Sequence, residues 1–301
     1  MSAAEHPPSP AWAASFRALP SVRLTGEALV ISDLHLPPNA GAATDMFVAW
    51  CAEIARDLRA GQGPNRRVTR FVCLGDLFDV WVGRCQLELS GTGPVAEALR
   101  ALGALGVACD LVPGNRDSLL DEAFAARAGV ALWPDGFVLV AANGARVLCL
   151  HGDDLCVRER GYLRLRRVMR SRAMRALSRV APLWFARRVG RGLRQRYSGA
   201  LRPASDTRGP QRDAALAAAQ AARAEVLLSG HSHAPSDLEL RAGGRGPGAG
   251  GAARKDPADI ALGEPAPSVR WVTLGAFGDA ADLVHLGADG AATVRDSAPR
   301  R

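Results

Sequence analysis

A chain of 301 residues, 48% hydrophobic and with a mean hydropathy near zero, can bury a full core as one large domain or two small ones. No run approaches about 18 consecutive apolar residues, which argues against a transmembrane helix. The net charge of +8 is carried by arginine, because Lys255 is the only lysine among the 38 basic residues. Seventeen of the arginines lie between Arg158 and Arg212, opposed there only by Glu159 and Asp206. Such a block points to an anionic partner: a phosphate, an acidic lipid surface or nucleic acid.

Residues 1–26 read as a disordered extension. The first twenty have an early Glu5, several prolines and no cationic stretch before an apolar run, so they do not read as a secretory signal. Residues 28–32 then read as a strand, 44–59 as a helix, 70–74 as a strand, 94–105 as a helix and 107–112 as a strand. This alternation predicts an α/β sheet with crossover helices. Residues 137–141 and 146–150 flank Asn143-Gly144, a hairpin signal. The pattern then changes to helices: apolar residues recur at helical spacing over 161–197, arginines fill the other face, and Pro182 must kink or end one helix. Residues 157–212 therefore read as a helical insertion. A further Ala-rich helix over 211–224 leads into a strand over 225–229. Residues 241–267, rich in Gly, Ala and Pro, read as a flexible loop. Residues 269–274, 282–286 and 292–295 read as closing strands of an antiparallel sheet. Cys51, Cys73, Cys85, Cys109, Cys149 and Cys156 form no C-x-x-C pair and read as reduced core residues of a cytosolic protein.

Five polar motifs close strand-like runs. They are Asp33-Leu34-His35, Gly75-Asp76-Leu77-Phe78-Asp79, Gly114-Asn115-Arg116-Asp117, His151-Gly152-Asp153 and Gly230-His231-Ser232-His233. Four of the six histidines lie in them. Imidazole, carboxylate and amide oxygen at strand ends are the donors of a dinuclear metal site. Asp76 is the natural bridge, since a carboxylate can divide two oxygens between two cations. Asp33 and His35 lie two apart and can reach one ion; His231 and His233 repeat that spacing. Asn115 offers a neutral oxygen and His151 a nitrogen. Two such cations polarise a phosphoryl oxygen and bring the pKa of a bound water from about 15.7 to roughly 7.

In order and spacing these motifs resemble those of the calcineurin-like metallophosphoesterase superfamily, over about residues 29–278. The resemblance implies an α/β fold: a four-layer α/β/β/α sandwich of two mixed sheets, with the helical insertion as a cap. It implies that Asp33, His35, Asp76 and His233 hold one divalent metal, and that Asp76, Asn115, His151 and His231 hold the other. Asp79, Asp117 and Asp153 become supporting residues, with Asp117 placed to orient Arg116.

Many relatives carry histidine where this chain has Arg116. Arginine stays protonated, with a pKa above about 12, so it holds phosphate oxygens and is a poor general acid. That suits the good leaving group of a pyrophosphate. The motifs resemble most the branch of the family that cleaves UDP-2,3-diacylglucosamine to UMP and 2,3-diacylglucosamine 1-phosphate in bacterial lipid A synthesis, usually with manganese. By that resemblance the cap covers acyl chains, with Leu163, Leu165, Val168, Met169, Leu183, Trp184 and Phe185 as the lining. Glu159, Tyr162 and Arg194 contact the substrate head, as does Arg116. The arginine face meets an anionic membrane surface, which places the protein peripherally on the cytoplasmic face of the inner membrane. Nucleic acid is disfavoured as a partner, because aromatics make up only 5% of the chain and base-stacking platforms are scarce. Two departures leave a different nucleotide pyrophosphate or a phosphodiester as the alternative substrate. Residues 197–204 lack the polar cluster expected after the cap helices, and Gly83-Arg84-Cys85 replaces an acidic patch.

Overall fold

The computed structural model describes residues 11–198, 209–241 and 268–297. Its strands are β1 (Ser21–Arg23), β2 (Glu27–Ile31), β3 (Val68–Cys73), β4 (Ala108–Leu111), β5 (Ala131–Leu132), β6 (Phe137–Val140), β7 (Arg146–Cys149), β8 (Val226–Ser229), β9 (Ser236–Leu240), β10 (Val269–Thr273), β11 (Leu283–Leu286) and β12 (Ala292–Arg295). They build two six-stranded mixed sheets, ordered β1-β6-β7-β8-β10-β9 and β12-β11-β2-β3-β4-β5.

The central strands are apolar on both faces because both faces are covered. Ala28, Val30 and Val72 meet Phe137, Leu139, Val147, Cys149, Leu228 and Val272 between the sheets. Their neighbours Leu29, Ile31, Phe71 and Cys73 face the other way, under α1 (Ala42–Ala60), α2 (Thr92–Gly103) and α3 (Glu122–Ala128). Leu148, Leu227 and Trp271 lie on the far side of the other sheet, under α7 (Arg212–Ala222). The layer order is the α/β/β/α sandwich that the resemblance implies. Ala214, Ala215, Ala218, Ala219, Ala221 and Ala222 are all buried, so small side chains let α7 lie close against its sheet. Asn143-Gly144 makes the expected hairpin: β6 and β7 pair antiparallel, and Gly144 takes φ 88°.

Among its described residues the insertion forms three helices, α4 (Arg160–Met169), α5 (Arg172–Val180) and α6 (Leu183–Ser198). Pro182 falls between α5 and α6, where its fixed φ suits a helix start and no helical bond is lost. Gly83 lets α5 seat on the body, since a Cβ there would come within 2.5 Å of the Ser178 carbonyl oxygen. Of the expected cap and loop boundaries, residues 199–208 and 242–267 lie outside the described residues. All six cysteines are free, and all but Cys85 are buried.

Two expectations are corrected. The stretch up to residue 26 is not a disordered extension in its described part. Ala11–Ala18 forms a 3-10 helix whose Ala13 and Phe16 are buried against α7, and β1 pairs parallel with β6. Residues 1–10 lie outside the described residues. The three C-terminal strands do not form one antiparallel sheet. β10 pairs parallel with β8 and antiparallel with β9, whereas β11 and β12 extend the opposite sheet beyond β2.

Replacing Phe16 by Ala removes a ring that is 5% exposed and should cost about 3 kcal/mol, the usual scale for a buried Phe→Ala change. Urea unfolding measures this; an unchanged midpoint would mean that the N-terminal segment does not belong to the folded unit.

Candidate metal centre

The parallel strands β2, β3 and β4 of one sheet and β7 and β8 of the other deliver the five motifs to one region. The crevice beyond the carboxyl ends of parallel strands is where α/β proteins bind ligands. The chain leaves these strands through strained turns. Seven described non-glycine residues have positive φ, and five of them are Asp33 (55°), His35 (49°), Asp76 (50°), His231 (69°) and His233 (53°). Strain of this kind collects at functional sites, where the surroundings enforce it. Two glycines permit the close approach of the loops. A Cβ on Gly114 would strike the Asp76 carboxylate and backbone nitrogen, and one on Gly230 would strike Ser32 and the Asp33 carboxylate.

All seven expected ligands come together. On one side, His35 Nε2 lies 2.9 Å from His233 Nε2, and His233 Nε2 lies 3.3 Å from Asp33 Oδ1. On the other, Asn115 Oδ1 is 3.0 Å from both His151 Nε2 and His231 Nδ1. Asp76 stands between the sides: Oδ2 is 3.8 Å from His35 Nδ1 and Oδ1 is 3.8 Å from His151 Nε2. That is the placement a bridging carboxylate needs. Donor atoms of Asp33, His35 and His233 all lie within 4.8 Å of one another, as do those of Asp33, Asp76 and His151.

Neighbouring groups fix these side chains. His151 Nδ1 lies 2.7 Å from the Leu74 carbonyl, so Nδ1 carries the proton and Nε2 is free to ligate. Asp33 Oδ2 accepts from Ser32 Oγ at 2.6 Å and from the His231 amide at 2.8 Å. Asp33 Oδ1 and His35 Nδ1, both buried, have no aligned hydrogen-bond partner. Two such uncommitted lone-pair atoms in a cluster of imidazoles, carboxylates and an amide oxygen fit divalent cations.

The charges are strongly perturbed. Burial, then the Asp117 and Asp33 charges, push Asp76 up to about 7 against the pull of His151. Burial lowers His151 too, but Asp76, Asp33 and Asp153 outweigh it and bring it up to about 9. Burial holds His35 down at about 3 and His231, next to His151, at about 4. Asp33 resists its burial and stays well below the usual carboxylate range because His233, His151 and His35 surround it. A cation entering such a cluster competes with protons for the same atoms.

The expected supporting residues divide differently from the sequence reading. Asp117 does not orient Arg116. It is fully buried and accepts from the Gly114 amide at 2.6 Å and the Phe78 amide at 3.3 Å, bracing the two loops. Asp79 holds Arg116 instead, at 2.9 Å from Nη1, while Asp76 lies 3.6 Å from Nε and accepts the Arg116 amide at 2.8 Å. Tyr162 reaches the site, with its ring centroid 6.2 Å from that of His231 and its hydroxyl donating to Asp153 at 2.7 Å. Glu159 accepts from the Gly209 amide at 2.7 Å, a contact that ties down the end of the cap. The side chain of Arg194 lies outside the described residues. The expected acyl lining is scattered. Met169 is buried in the core, Leu165 packs partly against it, and Val168 and Trp184 are exposed. Leu183, also one of the expected lining residues, borders a cavity of about 210 Å³ under α6 with Val80, Leu89, Ala186 and Gly190 and with the polar Asn39, Gln86 and Arg191. Sequence reasoning missed Ser32, whose only signal was its place just before Asp33. It also missed Arg166 and Arg170, which look like any other members of the arginine block.

The chain belongs to the calcineurin-like phosphoesterase family, whose sequence profile matches residues 27–235. It is accordingly a hydrolase, of a family that works with divalent metal ions. It is 35% identical over 219 residues to the UDP-2,3-diacylglucosamine hydrolase of Pseudomonas savastanoi pv. phaseolicola, covering 71% of this chain and 82% of that one. It is 34% identical over 227 residues to the enzyme of that name from Ralstonia nicotianae, with 71% and 80% covered. The enzyme of that name from Neisseria gonorrhoeae is 36% identical over 207 residues, with 67% and 80% covered. A crystal structure of TT1561 of Thermus thermophilus superposes with a TM-score of 0.40 at 11% identity, covering 91% of this chain and 99% of that one, a likeness from which nothing is argued.

Gly114→Ala should displace the Asp76 carboxylate while keeping the fold. Phosphodiesterase activity should fall about 100-fold, the usual cost of misplacing a reacting group by an ångström. Activity assays beside far-ultraviolet circular dichroism check this, and unchanged activity would contradict the close approach.

Proposed function

We propose that the protein cleaves the pyrophosphate bond of UDP-2,3-diacylglucosamine, giving UMP and 2,3-diacylglucosamine 1-phosphate for lipid A synthesis. The observation that carries the reading is the convergence of Asp33, His35, Asp76, Asn115, His151, His231 and His233 at the carboxyl ends of two sheets, with the cap beside them. The names of the similar enzymes supply the substrate. In this reading Asp33, His35, Asp76 and His233 hold one Mn²⁺, and Asp76, Asn115, His151 and His231 hold the other. When bound, the pair polarises a phosphoryl oxygen and brings a water toward deprotonation at neutral pH.

The protein's own part is positioning and charge. Arg116, steered by Asp79 and Asp76, presents a guanidinium to the phosphate oxygens and stabilises charge that builds there. It does not give up a proton, and a phosphomonoester leaving group does not require one. Tyr162, beside His231, borders the substrate head. Glu159 and Arg194 belong to the same boundary by resemblance. The cavity lined by Leu183, Ala186 and Val80 accepts acyl carbon. The outer face of the cap rests on anionic lipid at the cytoplasmic side of the inner membrane. Val180 is 77% exposed and Trp184 69%, on helices that also carry Arg172, Arg175, Arg179, Arg188 and Arg191. No described helix is long and apolar enough to cross a membrane.

Purified protein with Mn²⁺ should release UMP from UDP-2,3-diacylglucosamine. Asn115→Ala should lower the rate at least about 100-fold, and chelation should abolish it. Loss of that activity with hydrolysis of a generic aryl phosphodiester retained would point to another phosphodiester or pyrophosphate as substrate. Asp79→Asn should lower kcat about 10- to 100-fold with little change in KM for metal, by releasing Arg116. Replacing Val180 and Trp184 together by Ser should weaken sedimentation with phosphatidylglycerol vesicles, and wild-type binding should fall as salt rises. Binding indifferent to both changes would remove the cap from the membrane interface.

A further inference from the structure

The first cap helix touches the metal loops through three side chains on one face. Arg166 donates through Nε to Asp153 Oδ2 at 2.7 Å and also pairs with Asp154 through Nη2. Tyr162, one turn earlier, donates to the same Asp153 oxygen at 2.7 Å. Arg170, one turn later, places Nη2 3.8 Å from that oxygen and 3.4 Å from the Pro113 carbonyl. Its Nη1 donates to the Pro134 carbonyl at 2.8 Å. The spacing puts Tyr162 and Arg166 on one stripe of α4, which Arg170, the C-cap residue of the helix, continues. Asp153 is fully buried and lies two residues beyond His151, and Pro113 lies two residues before Asn115. One helix therefore grips both loops that bring Asn115 and His151 together. Arg166 and Arg170 are only 20% and 11% exposed in their side chains, unlike most of the arginine block.

We propose that α4 is a clamp, and that Arg166 and Arg170 are positioning residues that set the Asn115–His151–His231 half of the metal centre. The helix that borders the substrate thus also determines the metal geometry. A buried carboxylate held by guanidinium groups cannot shift without leaving a charge unpaired, so the link is stiff. The Asp33–His35–His233 half sits on the loops after β2 and β8, and the described hydrogen bonds and ion pairs of Arg166 and Arg170 do not reach these residues.

The proposal rests on the reading of Asn115 and His151 as metal ligands, and the test separates the two. Titration calorimetry of the full-length protein with Mn²⁺ alone is run on wild type, Arg166→Gln, Arg170→Gln, the double variant and Asn115→Ala. The wild type should show two sites. Each arginine variant should weaken one site about 10- to 100-fold, the usual effect of removing a residue that supports a metal ligand, and leave the other unchanged. Hydrogen exchange of α4 should rise in both. Arg166→Lys, with one donor group in place of a planar fork, should recover only part of the loss. If Asn115→Ala weakens a site and neither the single nor the double arginine variant does, the clamp is wrong. If Asn115→Ala leaves both sites intact, the ligand reading fails first. Equal weakening of both sites, together with a fall in melting temperature, would reduce the arginines to general stabilisers and would also overturn the proposal.

Discussion

Two buried carboxylates, Asp33 and Asp76, at the meeting point of two sheets set the terms for the rest of the structure. They are 1% and 2% exposed, close to each other, and each is in a left-handed backbone conformation. Isolated ionised carboxylates cannot be buried in this way without compensation. A left-handed non-glycine residue costs roughly 1–2 kcal/mol, so five in one site approach the net stability of an ordinary domain, about 5–15 kcal/mol. The structure meets this with imidazoles around Asp33, which hold it well below the usual carboxylate range, while burial and then the Asp117 and Asp33 charges raise Asp76, and the nearby carboxylates raise His151. A pair of divalent cations would replace those protons with fixed positive charge. The sandwich around the site supplies the stiffness: parallel strands aim five loops at one point, and Gly114 and Gly230 let the loops touch.

The residues of the candidate metal centre were legible in the sequence as one cluster because few side chains suit a metal ion. A carboxylate, an imidazole or an amide oxygen is required at each place, and a strand must end there. The central strands were legible for a related reason, since residues 28–31, 71–73, 147–149 and 226–228 of β2, β3, β7 and β8 are apolar runs in strands covered on both faces. What failed was pairing and partnership. β10 looks like the neighbour of β11 by position, yet its parallel partner is β8, on the far side of the Gly-rich stretch. The N-terminal segment looked disordered because prolines and small residues hide two anchors, Ala13 and Phe16, whose burial depends on α7 far along the chain. Asp79 and Asp117 could not be told apart by spacing. Only the folded loops show that one meets a guanidinium and the other a pair of backbone amides.

The arginine block shows the limit of net charge as a guide. Seventeen like residues suggest one function, a basic face. The structure divides those it describes into two populations with opposite physics. Arg166 and Arg170 are desolvated and each serves a buried acid or carbonyl, so their value is geometric and salt barely touches it. Arg175, Arg179, Arg188 and Arg191 are exposed on the same two helices as the exposed Val180 and Trp184, and charge there acts at range and is screened. Arg84 follows the same logic on a smaller scale. It stands where an acidic residue was expected and is matched by Asp121, which also caps α3.

Arg116 joins these themes at the candidate metal centre. A histidine in its place could move between charged and neutral forms near pH 7, and so could deliver a proton to a poor leaving group. Arginine gives up that option and gains a permanent charge with a planar fork. The carboxylates around it match that exchange. Asp79 holds one nitrogen, and Asp76 lies near another while also standing between the two halves of the metal centre. The guanidinium is thereby set in register with the candidate metal ligands. A phosphate that bridged the centre would meet Arg116 at a fixed distance and angle. The chemistry that benefits is the kind in which charge on phosphate oxygens rises while the departing group carries its own negative charge easily, as the phosphate of a pyrophosphate does.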